Sequence, residues 1–138
     1  MEFFKFGKKK EEKERPSEEI KKPTELEKIC ANDKEVYEAL KDTMFLDPRK
    51  IRISMREAEE RAKEFEKSGD KLRAIIYYRM AGGLAIYEGN AQKVKEFFGK
   101  CQELSGKSYS ILKIPEKAIA KAKEYYEKYL KEEKEEKK

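Results

Sequence analysis

The chain has 138 residues, enough for one hydrophobic core and too few for two. Charged residues make up 46% of it against 38% hydrophobic, and 34 basic residues face 29 acidic ones for a net charge of +5. Lys and Glu are mixed along nearly every segment, which is the pattern of a solvated helix surface and not of the basic stripe that a dedicated DNA binder presents.

Residues 1–22 alternate Lys and Glu around Pro16 with almost nothing apolar after Phe6, so a flexible charged arm is expected there. Phe3, Phe4 and Phe6 followed by Lys8 to Lys10 could touch an anionic membrane. Glu2 and the glutamates after Lys10 dilute that field, and an unstructured start with incidental aromatics fits the same residues. A single helical domain is expected over 23–130. Thr24 and Glu27 have the spacing of a capping box, with Leu26, Ile29 and Cys30 on the apolar side of a short helix. Asn32 with Glu35 repeats the signal before a second helix through Val36, Ala39, Leu40 and Met44. Asp47-Pro48 breaks it, and the alternation of Ile51 and Ile53 with Arg52 favours an extended connector over a further helical turn.

Ser54 and Glu57 form the clearest capping box, opening a helix with Met55, Ala58, Ala62 and Phe65 on one face and Ser68-Gly69 at its end. The next helix, from Lys71 to about Tyr87, is apolar nearly all round and is therefore expected at the centre, enclosed by its neighbours. Gly82-Gly83 in its interior costs roughly 1 kcal/mol per glycine relative to Ala, which points to close approach of a neighbouring helix. Residues Ala91 to Leu104 give a further helix with Val94, Phe97, Phe98, Cys101 and Leu104 inward, stopped by Ser105-Gly106. A loop through Tyr109 and Leu112 leads to Ile114-Pro115 and a last helix carrying Ala118, Ile119, Ala122, Tyr126 and Tyr129 inward. Residues 131–138 are only Lys and Glu, and a frayed, disordered end is expected.

Two stretches share one punctuation. Gly69-Asp70 is followed by Ala74, Tyr78 and Ala81, and Gly89-Asn90 by Val94, Phe98 and Cys101, at the same offsets from the glycine. A glycine at a helix end, an Asp or Asn to cap the next helix and apolar residues at helical spacing stack short helices antiparallel. The fold class expected is thus all-α, an antiparallel bundle of about five helices.

The order Gly69, Ala74, Tyr78, Ala81, with Ala62 and Phe65 before it, resembles the helical hairpin of tetratricopeptide repeats. The second stretch departs from that pattern by placing larger residues at both small positions, and it follows after twenty residues where the family repeats at about thirty-four. The segment Ala62 to Ala81 also resembles the three-helix microtubule-interacting-and-trafficking domain. Both families bind peptides or helices of other proteins, so the resemblance implies a protein or peptide partner and tetratricopeptide-like packing over about Ser54 to Leu104.

Chemistry finds few residue types to work with. Without His, the usual general base and imidazole metal ligand are missing. No phosphate loop, nucleophile elbow or metal-spaced acid cluster occurs, so neither an enzyme nor a cofactor or metal site is expected. Cys30 and Cys101 cannot complete a zinc site; they fit a single bridge, or two small hydrophobes on apolar faces. The abundance of Lys and Glu with few amides is the composition associated with hyperthermophile proteins.

On the central helix, Arg73, Tyr77, Met80 and Leu84 share a stripe with Arg79 at its edge, a set suited to a groove for a partner helix or peptide. The same stripe is ordinary core if helix 24–45 or the C-terminal helix covers it. A non-enzymatic interaction module is the function expected. Nucleic-acid association through the basic arms and self-association through the apolar central helix are the alternatives. No segment approaches a membrane span and no signal peptide is evident, so a cytoplasmic location is expected.

Overall fold

Five successive helices begin at a side chain that caps them. The computed structural model describes residues 24–137, with side chains as far as Leu130. The expectations for the arm at 1–22, including Phe3, Phe4, Phe6 and Lys8 to Lys10, and for the side chains of 131–138 lie outside the described residues. Helices α1 (Glu25–Ile29), α2 (Lys34–Lys41), α3 (Met55–Lys67), α4 (Lys71–Glu88) and α5 (Ala91–Ser105) start after Thr24, Asp33, Ser54, Asp70 and Asn90. In each, the capping oxygen accepts the backbone N–H three residues on, at 3.0 to 3.2 Å. Each such cap contributes about 1 kcal/mol. A sixth helix, α6, spans Pro115–Lys137. The described residues are all-helical, with helices packed on one another, and none is long and apolar enough to cross a membrane.

Two local expectations shift. The cap of α2 is Asp33 and not Asn32, because the turn after Cys30 takes up Ala31 and Asn32 and closes with the Asp33 N–H on the Cys30 carbonyl. After Asp47 the chain makes one 3₁₀ turn, Pro48–Lys50, before extending through Ile51. Asp47 holds that turn by accepting from the Arg49 backbone at 3.2 Å and from its guanidinium at 2.8 and 3.0 Å.

The two glycine stretches build the same joint twice. Gly69 (φ +86°) and Gly89 (φ +76°) sit in the left-handed region that side chains avoid. At each joint the glycine N–H and the next N–H fold back on the preceding turn: Gly69 to Glu66 and Asp70 to Phe65, then Gly89 to Ile86 and Asn90 to Ala85. These paired bonds satisfy carbonyls that a helix end leaves open and turn the chain sharply. Thus α3, α4 and α5 lie side by side with α4 in the middle.

Small residues allow the three helices to close. Ala58, Ala62, Ala74, Ala81 and Ala85 are wholly buried. A Cβ built on Gly82 would stand 2.5 Å from the Phe98 ring, and one on Gly83 would stand 2.6 Å from the Phe45 ring. The first is the helix-on-helix approach expected; the second comes from the connector after α2. Across the other end, the Glu66 carboxylate on α3 accepts from Tyr78 of α4 at 2.8 Å and from Lys100 of α5 at 2.7 Å, tying all three helices at one point.

The chain then returns over this layer. A 3₁₀ turn, Ser110–Lys113, drives Ile111 into the core, a residue absent from the expected inward set. On α6 the buried positions are Pro115, Ala118, Ala122, Tyr125, Tyr126 and Leu130, while Ile119 and Tyr129 are only partly covered. Tyr126 donates to the Phe45 carbonyl and Tyr129 donates to Glu25 at 2.6 Å, so α6 anchors both the connector and α1.

This second layer stops halfway along α4. All six residues from 81 to 86 are buried, but between 71 and 80 only Ala74 and Tyr78 are. Leu72 is 70% exposed and Ile76 is 48% exposed. The middle helix is therefore enclosed along its C-terminal half alone.

Gly82 and Gly99 should respond oppositely to alanine. The Phe98 ring is fully buried, with the Tyr109 ring tilted at 33° and 5.6 Å away, so it has no room to retreat. Gly82→Ala should cost about 1 to 3 kcal/mol despite the better helix propensity. Gly99, with open space at its Cβ, should gain roughly 0.5 to 1 kcal/mol as Ala. Urea midpoints measure both, and a raised midpoint for Gly82→Ala would refute the close packing.

Glu66 gives the acid limb of stability. Its hydrogen bonds from Lys100 and then Tyr78 hold its carboxyl below the ordinary 4.5. A carboxyl lowered on folding contributes stability that is present above its unfolded value and is lost as the pH falls through the folded one. Glu66→Gln should therefore lower the urea midpoint at neutral pH and narrow its difference from the parent below the carboxylate range. A constant difference at all pH values would contradict this.

Candidate functional site

The stripe on α4 divides where the second layer ends. Leu84 is only 8% exposed and belongs to the core, because it falls inside the run covered on every side. Of the five residues expected at a partner-binding groove, Leu84 is the buried one. This half is covered by α6 and by the connector, whose Phe45 ring lies over Gly83 and whose Pro48–Lys50 turn packs on α4; α2 itself does not pack on α4.

Arg73, Tyr77, Arg79 and Met80 do reach or border the surface. Tyr77 stacks on Phe65 of α3, with centroids 5.6 Å apart and planes at 22°. The Arg73 guanidinium lies 5.6 Å from the Phe65 centroid and Arg61 lies 5.9 Å from that of Tyr77. The result is a cation–ring–ring–cation ladder across α3 and α4, with each exposed cation–ring contact worth about 0.5 to 1 kcal/mol. Arg73 also pairs with Asp70 at 3.6 Å. Arg79 stands apart from the ladder, and its guanidinium donates to the Asp42 carbonyl at 2.8 Å.

Two depressions meet at Met80. One, of about 400 Å³, lies between α4 and the end of α2, with Met44, Phe45 and Ile76 as its apolar surface and Lys41, Asp42 and Arg79 at its polar edge. The other, of about 360 Å³, lies between α3 and the connector, where Ile51, Ile53 and Tyr77 are bordered by Lys50, Arg52, Arg61 and Glu57. Behind Arg79 a polar recess of about 320 Å³ is formed with Lys107, Ser108, Tyr109 and Ser110. Leu72 and Ile76 continue the apolar line from Met80 toward the start of α4, one turn apart each.

Sequence reasoning named Met80, Tyr77 and the arginines and missed Leu72, Ile76 and Phe45 as surface-forming residues. The spacing of Leu72, Ile76 and Met80 is visible in the sequence. Their exposure is not, since an all-round apolar helix reads as enclosed. Phe45 lies outside any periodic segment and gives no signal of its own.

Both cysteines are free and buried, at 2% for Cys30 and 0% for Cys101. Burial raises the Cys30 thiol and pushes Cys101 up to about 12. They behave as small hydrophobes, and the single bridge is not formed. Among the described residues no three Cys, Asp or Glu side chains gather as a metal site requires.

Comparison with known proteins finds no matching family model, no similar curated protein and no similar solved structure.

The thiols provide a solution check on the core. Because only the thiolate reacts, both cysteines should be modified by an aromatic disulfide at neutral pH at least roughly a hundredfold more slowly in the folded protein than in urea. Rapid modification of either in the native protein would show that its face of the core is open.

Proposed function

We propose that the chain is a non-enzymatic protein-interaction module that seats a peptide or partner helix on the uncovered half of α4. The observation that carries this reading is the exposed pair Leu72 and Ile76 running into two depressions that meet at Met80. Large apolar side chains left in a row beside concave surface favour association, since burying each gives roughly 1.5 to 3 kcal/mol. Arg and Tyr at the edge, in Arg73, Tyr77 and Arg79, are residue types enriched where binding energy concentrates. The hairpins α3–α4 and α4–α5, with Gly69 at the first joint and Ala74, Tyr78 and Ala81 along α4, support a tetratricopeptide-like or microtubule-interacting-and-trafficking-like reading, and those families bind peptides or helices. A cytoplasmic location belongs to the same proposal.

Panning a random peptide library on the folded protein tests it. Enriched peptides should carry apolar residues at helical spacing, and their affinity should fall by roughly tenfold or more in Ile76→Glu while Lys123→Ala on α6 leaves it unchanged. Failure to enrich any peptide, or equal binding by Ile76→Glu, would sink the proposal.

A further inference from the structure

We infer that the occupant of this groove is an acidic amphipathic helix of another protein. This rests on the docking reading above and adds the partner's chemistry. Leu72, Ile76 and Met80 recur at four-residue steps, so their row runs for about 12 Å along α4. A partner helix laid along them offers its own apolar row at matching intervals.

Charge decides what else the partner carries. The two depressions are bordered by five cations: Lys41 and Arg79 on one side of Met80, and Lys50, Arg52 and Arg61 on the other. Only two carboxylates share those borders, Asp42 and Glu57. Arg61 and Glu57 pair at 3.3 Å and Lys41 pairs with Glu38 at 2.9 Å, so the excess of positive charge rests on Lys50, Arg52 and Arg79. The acid at the start of α4, Asp70, is likewise paired with Arg73. An apolar floor between two positive rims attracts a helix whose polar face is Glu and Asp, and repels one whose polar face is Lys. Elsewhere among the described residues acids and bases pair along the helices, as in Arg56–Glu60 and Lys93–Glu96, so this bias is local.

Three acetylated, amidated peptides with one leucine face and a polar face of all Glu, all Gln or all Lys test the inference by fluorescence anisotropy on the full chain. The Glu peptide should bind roughly tenfold tighter than the Lys peptide with Gln between, and should weaken roughly fivefold between about 50 and 300 mM NaCl. The double variant Lys50→Glu and Arg79→Glu, with folding checked by its melting temperature, should reverse the order. Ile76→Glu should weaken whichever peptide binds. Equal or tighter binding of the Lys or Gln peptide, salt-independent affinity, or an order unchanged by charge reversal would overturn the inference. If affinity then still depends on Ile76, the docking reading survives; if none of the three peptides binds, that reading fails as well. Displacement of the Glu peptide by an oligothymidylate of equal charge at equal concentration would show capture of any polyanion and would also overturn it.

Discussion

Two phenyl rings press on bare backbone at Gly82 and Gly83, and most of the architecture follows from that approach. Phe98 comes from α5 and Phe45 from the connector, so neighbouring positions on α4 fix elements that lie on two different sides of it. Glycine is a poor helix former, and its cost of roughly 1 kcal/mol per position has to be recovered in packing. The recovery is visible in the six consecutive buried residues from 81 to 86. Once Phe45 is placed, the segment around it is placed too: Thr43 donates to the Ala39 carbonyl at 2.6 Å and Tyr126 donates to the Phe45 carbonyl. One pair of glycines thereby settles where the second layer lies and where it ends.

Charge plays a smaller part in holding the fold than the composition suggests. Most ion pairs among the described residues join positions three or four apart on one helix, as in Arg56–Glu60 and Lys93–Glu96. Such pairs are exposed and contribute about 0.3 to 0.5 kcal/mol each. Lys100 is different, because it bridges Glu66 on α3 and Glu103 on its own helix and lies 5.8 Å from the Tyr78 ring. That cluster crosses three helices and is the kind of linked arrangement that gains importance with temperature. The remaining charges keep the helices solvated.

Local signals carried the elements well. The caps at Thr24, Ser54, Asp70 and Asn90 and the turns at Gly69, Gly89 and Gly106 are all where spacing places them, since capping and left-handed geometry depend on one or two residues at a time. The cap at Asp33 slipped by one residue because Asn and Asp adjoin and both can serve. Burial was less legible. Ile111 is fully buried from a turn too short to show a period. Tyr125 joins Tyr126 in the core because α6 crosses the bundle where two adjacent positions both meet neighbours, Tyr87 among them. The candidate site suffered most. Whether Leu84 is core and Leu72 is surface depends on how far a distant segment reaches along α4, and no periodicity within α4 encodes that.

The groove that results combines a fixed floor with an adaptable rim. Leu72, Ile76 and Met80 project from a helix anchored at its other half, and Phe45 is held by the glycine contact and by α6. A surface already ordered does not lose that conformational freedom on binding, so less of the contact energy is spent on immobilisation. The rim, by contrast, includes the long side chains of Lys50 and Arg52, whose charges can follow a partner's carboxylates while their stems cover apolar surface, beside Arg79 held on the Asp42 carbonyl. Rigid apolar spacing would then set which helices fit by register, and the mobile cations would bias their charge. On the proposed docking reading, such a surface would select a class of helices more readily than a single sequence, because the strict requirement would be on spacing and the charged one would tolerate many arrangements.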